Sequence, residues 1–338
     1  MSEKHETIVP SEPDAGERLQ WVSWLRSAAP YVHLHHGRTF VISFAGEVVA
    51  DRTLLNHLVM DVSLIASMGM RVVLVHGSRP QIEELMSLRK LEGQFYKGVR
   101  ITGPQELECV KEACGETRFD IEAAFSQGLP NTPMQHSRIK VVSGNFVTAR
   151  PMGIIDGVDY LHTGVVRKVD AESIQDLLSR GNIVLVSPTG FSPTGEAFNL
   201  TTEDVATAIA VAIHADKLIL SVGVDGVRIQ GEKQQDLTAQ QAQALIQSKQ
   251  VDDEDVYNLG YALRAIKGGV DRVHIVPYAM DGGILTELFT HDGVGTMMTM
   301  ENLESLRQAT SDDVSGLIKL LEPLEEDGTL VKRPREKL

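Results

Sequence analysis

The chain has 338 residues, of which 42% are hydrophobic and 23% are charged, which is the profile of an ordinary globular protein. Its formal net charge of −14 argues against binding to nucleic acid or to an anionic membrane, because an acidic surface repels both. No apolar run approaches the roughly 18 residues that a membrane span requires. We therefore expect small molecules as ligands, with no nucleic acid or membrane partner.

The cysteines and the N-terminus indicate where the protein works. The two cysteines, Cys109 and Cys114, fall five residues apart in one predicted helix, so they point to different faces and are not expected to form a disulfide. Free thiols and the lack of a signal-peptide pattern predict a cytoplasmic location. Residues 1–17 have no periodic apolar face and are predicted to be a disordered tail, followed by a helix at 18–37.

From Arg38 onward, short β-branched runs alternate with helical patterns. The runs predict these strands: Thr39–Phe44, Arg71–Val75, Ile139–Val142, Ile183–Val186, Lys217–Val222 and Val273–Val276. Apolar stripes with capping residues predict these helices: Thr53–Met68, Asp170–Arg180 and Thr201–His214, the last with a Thr-x-x-Asp capping pattern. Because the strands are apolar along their whole length, we expect an α/β fold with a mostly parallel sheet covered on both faces.

Two segments differ from this alternation. Between Arg150 and Asp170 a period-2 pattern with interspersed glycines predicts an antiparallel excursion, such as a hairpin lid. Near Met300 the sheet pattern closes at Thr296–Met300, and a new strand and helix pattern begins. The remaining residues, about forty, are too few for a core of their own. A second domain is therefore predicted to begin at residue 301.

Ligands of open α/β sheets bind at the carboxyl ends of the strands, so the turns there are the candidate sites. The first strand leads into Ser43-Phe-Ala-Gly46, and the second into His76-Gly77-Ser78-Arg79-Pro80, where Pro80 can open a helix. Such a turn is a seat for an anion, although a plain strand-to-helix connection explains it equally well. Neither of the two best-known phosphate-binding motifs, G-x-x-x-x-G-K-[ST] and G-x-G-x-x-G, occurs in the chain.

In chain order, these turns resemble the amino-acid kinase family over about residues 30–300. The family has Lys-x-Gly-Gly, His-Gly-Gly-Gly, Arg-Val-Thr and Asn-x-x-x-Asp motifs. The corresponding segments here are Ser43-Phe-Ala-Gly46, His76-Gly77-Ser78-Arg79, Arg100-Ile-Thr102 and Asn199-Leu-Thr-Thr-Glu203. The resemblance implies a three-layer αβα sandwich at 38–300, with a substrate-like pocket at Gly77, Ser78, Arg100 and Asn199.

The departures from the kinase motifs argue against phosphoryl transfer. Ser43 stands where the kinases have a phosphate-binding lysine, and Asn258 or a neighbour stands in place of the second lysine. Glu203 replaces the acid that organises those lysines. Phosphoryl transfer depends on positive charge around the migrating group, so the pocket is predicted to be a vestige without kinase activity.

Longer strings resemble the bacterial N-acetylglutamate synthases, which join a kinase-like domain to a GNAT acetyltransferase domain. The strings are Val141–Tyr160 and Asp281–Thr296. Leu306–Val314 is similar to the start of the GNAT domain, but after Met300 the only glycines are Gly316 and Gly328, so the acetyl-CoA-binding Gly-x-Gly/Ala turn is missing. The resemblance therefore implies an incomplete GNAT start at 301–338. It also implies that this chain holds no catalytic residue and no bound cofactor, with acetyl-CoA a co-substrate of the intact enzyme.

Members of this family that respond to arginine share an N-terminal helix and an arginine pocket. Pro30-Tyr31 and Gly37–Phe40 resemble the end of that helix. The resemblance assigns arginine contacts to Tyr31, Lys217, Asp281, Gly282, Gly283, Glu287 and Gly293. A guanidinium suits a carboxylate such as Glu287 or Asp281, and a carboxylate suits Lys217 and the glycine-rich loop. Taken singly, the acid and the lysine are also explained as an exposed helix residue and a strand-edge residue.

Two further features belong to the predicted N-terminal helix: its apolar residues and its three histidines. The helix before residue 37 carries apolar residues that can pack on a partner and make a homo-oligomer, as the resemblance implies, or can pack within one subunit: Leu19, Val22, Trp24, Leu25 and Val32. His33, His35 and His36 have no cysteine or acid at metal-ligand spacing, so no metal is predicted.

The leading interpretation is the arginine-sensing part of an enzyme that acetylates L-glutamate with acetyl-CoA, the first step of arginine biosynthesis, with L-arginine as inhibitor. Two alternatives remain open at this point. One is an active acetylglutamate kinase, and the other is a non-catalytic arginine-binding regulatory module.

Overall fold

The computed structural model of the chain describes residues 15–127, 139–248 and 250–301, together with residue 321. Its contacts divide the chain into two compact units, 1–301 and 302–338. The predicted tail, up to residue 14, and nearly all of the predicted GNAT start lie outside the described residues.

The helices are α1 Ala15–His35, α2 Gly46–Ala50, α3 Arg52–Ser67, α4 Arg79–Leu88, α5 Pro104–Ser126, α6 Ala171–Ser179, α7 Thr202–Ala212, α8 Ala239–Ser248, α9 Asp253–Lys267 and α10 Gly283–Phe289. The first nine strands are β1 Thr39–Phe44, β2 Arg71–His76, β3 Gln94–Tyr96, β4 Val99–Ile101, β5 Val141–Ser143, β6 Val147–Pro151, β7 Ile154–Ile155, β8 Val158–Asp159 and β9 Gly164–Val169. The others are β10 Ile183–Val186, β11 Thr189–Phe191, β12 Ala197–Asn199, β13 Lys217–Val222, β14 Arg228–Ile229, β15 Glu232–Lys233, β16 Asp236–Thr238, β17 Arg272–Pro277 and β18 Thr296–Thr299.

An eight-stranded sheet forms the centre of the unit, in the order β16-β18-β17-β13-β1-β2-β10-β5. The strands from β17 to β5 run parallel, and β18 is antiparallel to β17. The predicted parallel sheet is therefore confirmed. One strand prediction was displaced: the run at Ile139–Val142 forms β5 at Val141–Ser143, because its pairing with β10 begins with Val141 opposite Ile183.

Helices cover both faces of this sheet, which explains its apolar strands. On β1, Phe40, Ile42 and Phe44 pack into a core with α3, α5 and α10. Val41, between them, packs into the other core with α6, α7 and α9. Successive side chains of a strand point to opposite faces, so a strand buried between two helical layers must be apolar at every position. The predicted three-layer αβα sandwich is confirmed.

The predicted antiparallel excursion is confirmed too. Strands β6 and β9 pair antiparallel and belong to a second sheet, in the order β12-β11-β6-β9. Strands β7 and β8 form a small hairpin between them. Ile154, the first residue of β7, is 70% exposed, so the excursion carries apolar surface to the solvent.

Of the two helix caps predicted from sequence, one forms and the other does not. Asp170 caps α6 as predicted, accepting a hydrogen bond from the Ser173 backbone N–H at 3.2 Å. Thr201 precedes α7, but its side chain makes no capping hydrogen bond, so the predicted Thr-x-x-Asp cap is wrong. Asp204 instead accepts from the Val166 backbone N–H at 2.9 Å and pairs with Arg264 at 2.7 Å.

Helix α1 begins at Ala15 and ends at His35, so it starts before the predicted 18 and stops before the predicted 37, and residues 15–17 are helical rather than part of a disordered tail. It contacts α10. Among the described residues, no helix is long and apolar enough to cross a membrane.

Candidate functional site

A cleft of about 940 Å³ opens at the carboxyl ends of the central strands. Its walls include the turns after β1 and β2, the end of β13, and the first residues of α7 and α9. Gly77, Ser78, Arg100 and Asn199 all line it. The structure therefore brings the four residues of the predicted substrate-like pocket together, at the edge of the sheet where parallel strands place ligand sites.

The first two turns are pressed against each other at the floor of the cleft. The Gly77 backbone N–H donates to the Phe44 carbonyl at 2.7 Å, and a Cβ on Gly77 would come within 2.8 Å of the Gly46 nitrogen. Gln81 donates from its amide to the Gly46 carbonyl at 2.8 Å. Only glycine allows this approach of the two backbones. Ser43 lies within β1, where it is 3% exposed.

Arg100 lines the cleft, but contacts within the chain occupy its guanidinium. Nη2 donates to Glu83 Oε1 at 3.1 Å, and the group lies over the Phe95 ring at 4.6 Å. The side chain is 8% exposed, and burial lowers its pKa. Asn199 donates from Nδ2 to the Thr102 hydroxyl at 2.9 Å. Both residues therefore have structural roles in the folded chain.

The sequence analysis expects Glu203 in place of the organising acid and Asn258, or a neighbour, in place of the second lysine, and both residues line the cleft. Burial raises the pKa of Glu203, and its Oε2 accepts a hydrogen bond from the Tyr257 hydroxyl at 3.1 Å. The Asn258 side chain is uncharged and 3% exposed. Neither position supplies the positive charge that a phosphate-transfer site needs.

A second polar site lies where β13, β17 and α10 meet. Lys217 Nζ lies 3.1 Å from His274 Nε2, and His274 Nδ1 lies 2.7 Å from Glu287 Oε1. Glu287 Oε2 accepts from the backbone N–H groups of Val294 at 2.7 Å and Gly295 at 2.9 Å. The side chains of His274 and Glu287 are 3% and 5% exposed, and Lys217 is 5% exposed. This series of contacts is called the Lys217–His274–Glu287 chain below.

The chemistry of Lys217 and Glu287, at the two ends of the Lys217–His274–Glu287 chain, fixes the tautomer of His274. A protonated lysine can only donate, so Nε2 must accept and the proton must sit on Nδ1, which donates to the carboxylate. The pKa values agree with a neutral ring between two charges. Burial lowers the pKa of Lys217 to about 8 and that of His274 to about 4. Burial opposes ionisation of Glu287, but the hydrogen bonds from His274, Val294 and Gly295 lower its pKa to about 2.

The other residues predicted to bind arginine lie at three separate places around the Lys217–His274–Glu287 chain. A Cβ on Gly293, which has a φ of +63°, would come within 2.5 Å of Glu287 Oε2, so the glycine lets its loop close over the carboxylate. Asp281, Gly282 and Gly283 lie at the start of α10, where Gly282 has a φ of +66° and Asp281 Oδ1 is 3.4 Å from His57 Nδ1. The Asp281 side chain is 69% exposed. Tyr31, on α1, is half-buried against the core on the α10 side of the sheet.

Sequence reasoning missed two histidines of this site. His35 at the end of α1 contacts the Leu288 carbonyl through Nε2 at 3.0 Å, and its ring packs edge-on against Phe40 and Phe289. Burial and the nearby Lys217 charge lower its pKa to about 4. His274 lay inside a strand predicted to be wholly buried, and a polar residue at such a position needs a polar partner. That was the available signal for His274, whereas His35 was considered only as a metal ligand.

Comparison with known proteins agrees with this architecture. The sequence pattern of the amino acid kinase family matches residues 38–277. Carbamate kinase from Giardia lamblia, at 14% identity and a TM-score of 0.60, covers 78% of this chain and 99% of its own, which shows the shared fold.

More specific relatives cover nearly the whole chain. The amino-acid acetyltransferase of Ralstonia nicotianae is 55% identical over 327 residues, which are 96% of this chain and 72% of the relative. That of Ectopseudomonas mendocina is 49% identical over 94% of this chain and 73% of its own.

Two solved structures of N-acetylglutamate synthase from Neisseria gonorrhoeae also match. One, complexed with coenzyme A and N-acetyl-glutamate, is 36% identical with a TM-score of 0.77 over 94% of this chain and 72% of its own. The other, complexed with coenzyme A and L-arginine, is 35% identical with a TM-score of 0.83 over 93% of this chain and 72% of its own. The chain therefore belongs to the amino acid kinase family by its fold and, within it, to the amino-acid acetyltransferases, the family of N-acetylglutamate synthase.

Proposed function

We propose that residues 38–301 sense L-arginine for an enzyme that transfers an acetyl group from acetyl-CoA to the amine of L-glutamate. The observation that carries this proposal is the buried Lys217–His274–Glu287 chain, a charged network on the α10 side of the fold and outside the cleft. Buried charges are costly and are retained where they serve a site or a switch. The arginine-bound relative, with its TM-score of 0.83, supports arginine as the ligand.

The structure constrains how Glu287 can take part in arginine binding. A carboxylate has about four lone-pair sites. Three of them are used by His274, Val294 and Gly295, so a bidentate guanidinium contact with Glu287 requires the 293–295 loop to move away. Asp281 is largely exposed, and its ion-pair contact among the described residues is with His57, so its carboxylate is accessible to a guanidinium. Arginine binding thus couples the start of α10 to the loop that follows it.

In this proposal, acetyl transfer belongs to the acetyltransferase domain of the intact enzyme, of which residues 301–338 would be only the incomplete start. Acetyl-CoA would be a co-substrate of that intact enzyme, because residues 301–338 lack the Gly-x-Gly/Ala turn that binds it. No catalytic group is assigned to the first unit. The vestigial pocket at Gly77, Ser78, Arg100 and Asn199 is a remnant of kinase ancestry, since the cations lining it among the described residues, Arg79, Lys97 and Arg100, are each paired with an acid.

We also propose that the protein forms a homo-oligomer through α1. One side of this helix packs on its own subunit through Ala28, Tyr31 and Val32. The helix also exposes large apolar residues: Leu19, Val22, Trp24, Leu25 and Leu34. A second copy of the chain could cover this surface. Light scattering should report more than one subunit per particle, and a Trp24→Glu variant should shift the mass towards the monomer.

Calorimetry with L-arginine tests the sensing proposal. The protein should bind L-arginine, and its melting temperature should rise with ligand concentration, because a ligand of the native state stabilises by mass action. Lys217→Met should weaken binding by about tenfold or more, since it removes a buried cation. Glu116→Gln, on the exposed face of α5 with no partner among the described residues, is the matched control.

No heat and no melting shift at millimolar L-arginine would reject the sensor. Kinase activity is a separate readout. ATP-dependent phosphorylation of N-acetylglutamate by the pure protein would instead support the kinase alternative.

A further inference from the structure

One half of the cleft is acidic, and its acids have no ion-pair partner in the part of the chain that the structure describes. Glu47 on α2 and Asp253 and Glu254 at the start of α9 line this half together with Tyr278. A Cβ on Gly223 would lie 3.7 Å from the Tyr278 hydroxyl and 4.0 Å from Glu254 Oε1, so these groups converge. Burial raises the pKa of Tyr278, and the charges of Glu47 and Glu254 raise it further. None of the three acids makes an ion pair with any described residue.

The cations of the cleft cannot neutralise this half, because they are engaged elsewhere. Arg79 and Arg100 both contact Glu83 Oε1, at 3.0 Å and 3.1 Å. Lys97 contacts Asp156 at 2.6 Å. The acidic half therefore repels a nucleotide triphosphate and attracts a cation.

A buried amide adds a second and independent requirement. Asn258, in α9, lines the cleft and is only 3% exposed. Its Nδ2 is buried without a hydrogen-bond partner among the described residues. Leaving a buried donor unpaired destabilises the folded chain, so an acceptor oxygen supplied by a ligand would remove that penalty. The α9 helix thus presents carboxylates at its first turn and an unsatisfied donor one turn later.

We propose that this half of the cleft binds a basic α-amino acid. Its ammonium groups would lie against Glu47, Asp253 and Glu254, and an oxygen of its carboxylate would accept from the Asn258 amide. The positive charge of such a ligand would be attracted by the three acids, and its carboxylate would supply the hydrogen-bond acceptor that the Asn258 amide lacks. This site is separate from the proposed arginine site, since neither Lys217 nor Glu287 lines the cleft.

Binding of L-lysine and L-ornithine to the full chain, followed by calorimetry, tests the proposal. Glu254→Gln should weaken binding about three- to fivefold, as expected for one partly exposed ion pair. Asn258→Leu should weaken it about tenfold, because it removes a hydrogen bond to a charged group. The latter removes no hydrogen bond present in the free protein, so it should fold normally, which an unchanged melting temperature without ligand checks. Glu116→Gln should bind both probes as the parent chain does.

Two results would overturn the proposal. One is no binding of either probe at millimolar concentration. The other is unchanged affinity in both Glu254→Gln and Asn258→Leu, which would place the probes elsewhere. Because neither Glu254 nor Asn258 belongs to the proposed arginine site, failure of this proposal can be distinguished from failure of the arginine proposal.

Discussion

Replacing Glu287 by glutamine should destabilise the first unit by about 2–4 kcal/mol at neutral pH. The carboxylate accepts three hydrogen bonds, from His274 on one oxygen and from Val294 and Gly295 on the other. A glutamine has one acceptor oxygen, so its NH₂ group must face either the ring or the two amides, all of which are donors. His274 cannot adapt by moving its proton to Nε2, since that nitrogen accepts from Lys217. A lost hydrogen bond to a charged group costs about 1.5–3 kcal/mol.

Proton linkage gives an independent magnitude. The pKa of Glu287 falls from a usual value of 4.5 to about 2 in the folded chain. Each pKa unit corresponds to about 1.4 kcal/mol, so the ionised carboxylate contributes about 3 kcal/mol. The folded-state pKa is lowered, so this stability is fully present above about pH 4.5. It is lost as the pH falls towards 2, because the unfolded chain binds the proton first.

Urea unfolding, followed by circular dichroism, measures both the loss of stability in Glu287→Gln and its dependence on pH. At pH 7.5 the Glu287→Gln variant should unfold at lower urea than the parent chain, and the difference should narrow as the pH falls below about 5. Glu116→Gln, an exposed change of the same chemistry, should stay within about 0.5 kcal/mol of the parent. The reasoning is refuted if Glu287→Gln is as stable as the control at pH 7.5. It is also refuted if the difference between variant and parent is the same at pH 7.5 and at pH 4.

Three further outcomes can be measured by urea or thermal unfolding. Gly295→Ala should destabilise the fold by about 2 kcal/mol or more, because the added Cβ would clash with the Ile275 carbonyl oxygen. Gly260→Ala, in α9 with open space around it, should instead stabilise the fold by up to about 1 kcal/mol. Equal changes in stability for the two variants would contradict this geometry. Asp204→Asn should lower the free energy of unfolding by about 1–3 kcal/mol, because Asp204 pairs with Arg264 and accepts a hydrogen bond from the Val166 backbone N–H. An unchanged free energy of unfolding would show that these contacts are dispensable. Burial lowers the pKa of three histidines to about 4: His35, His76 and His274. The unfolded chain therefore binds protons first, and stability should fall as the pH drops from about 6.5 towards 4; a flat profile over that range would refute their burial as neutral rings.

Much of the fold followed from sequence because the strands are buried on both faces. Strands β1, β10 and β13 were predicted to the residue, since a run such as Thr39–Phe44 has no other place than the middle of a covered sheet. The short strands of the second sheet, β11 and β12, carry too few residues for a periodic signal and depend on their pairing with each other and with β6. Family membership also followed from sequence, because long strings are specific.

For the two candidate sites, sequence and tertiary structure each determined different properties. The sequence by itself determined that Ser43 and Asn258 supply no cation to the kinase-like cleft, because the loss of charge at a position is visible in the letters alone. It also placed Lys217 and Glu287 among the candidates. Only the tertiary structure decided that His274 joins them.

Tertiary structure also decided which groups remain available to a ligand. It buried Arg100 against Glu83. Among the described residues, it left Glu47, Asp253 and Glu254 without an ion pair and the Asn258 amide without an acceptor. Hydrogen-bond partners come from segments far apart in the chain: Lys217 and His274 are separated by 57 residues and meet because their strands are neighbours in the sheet. Sequence fixes which charges a chain carries, but packing decides which of them are already satisfied.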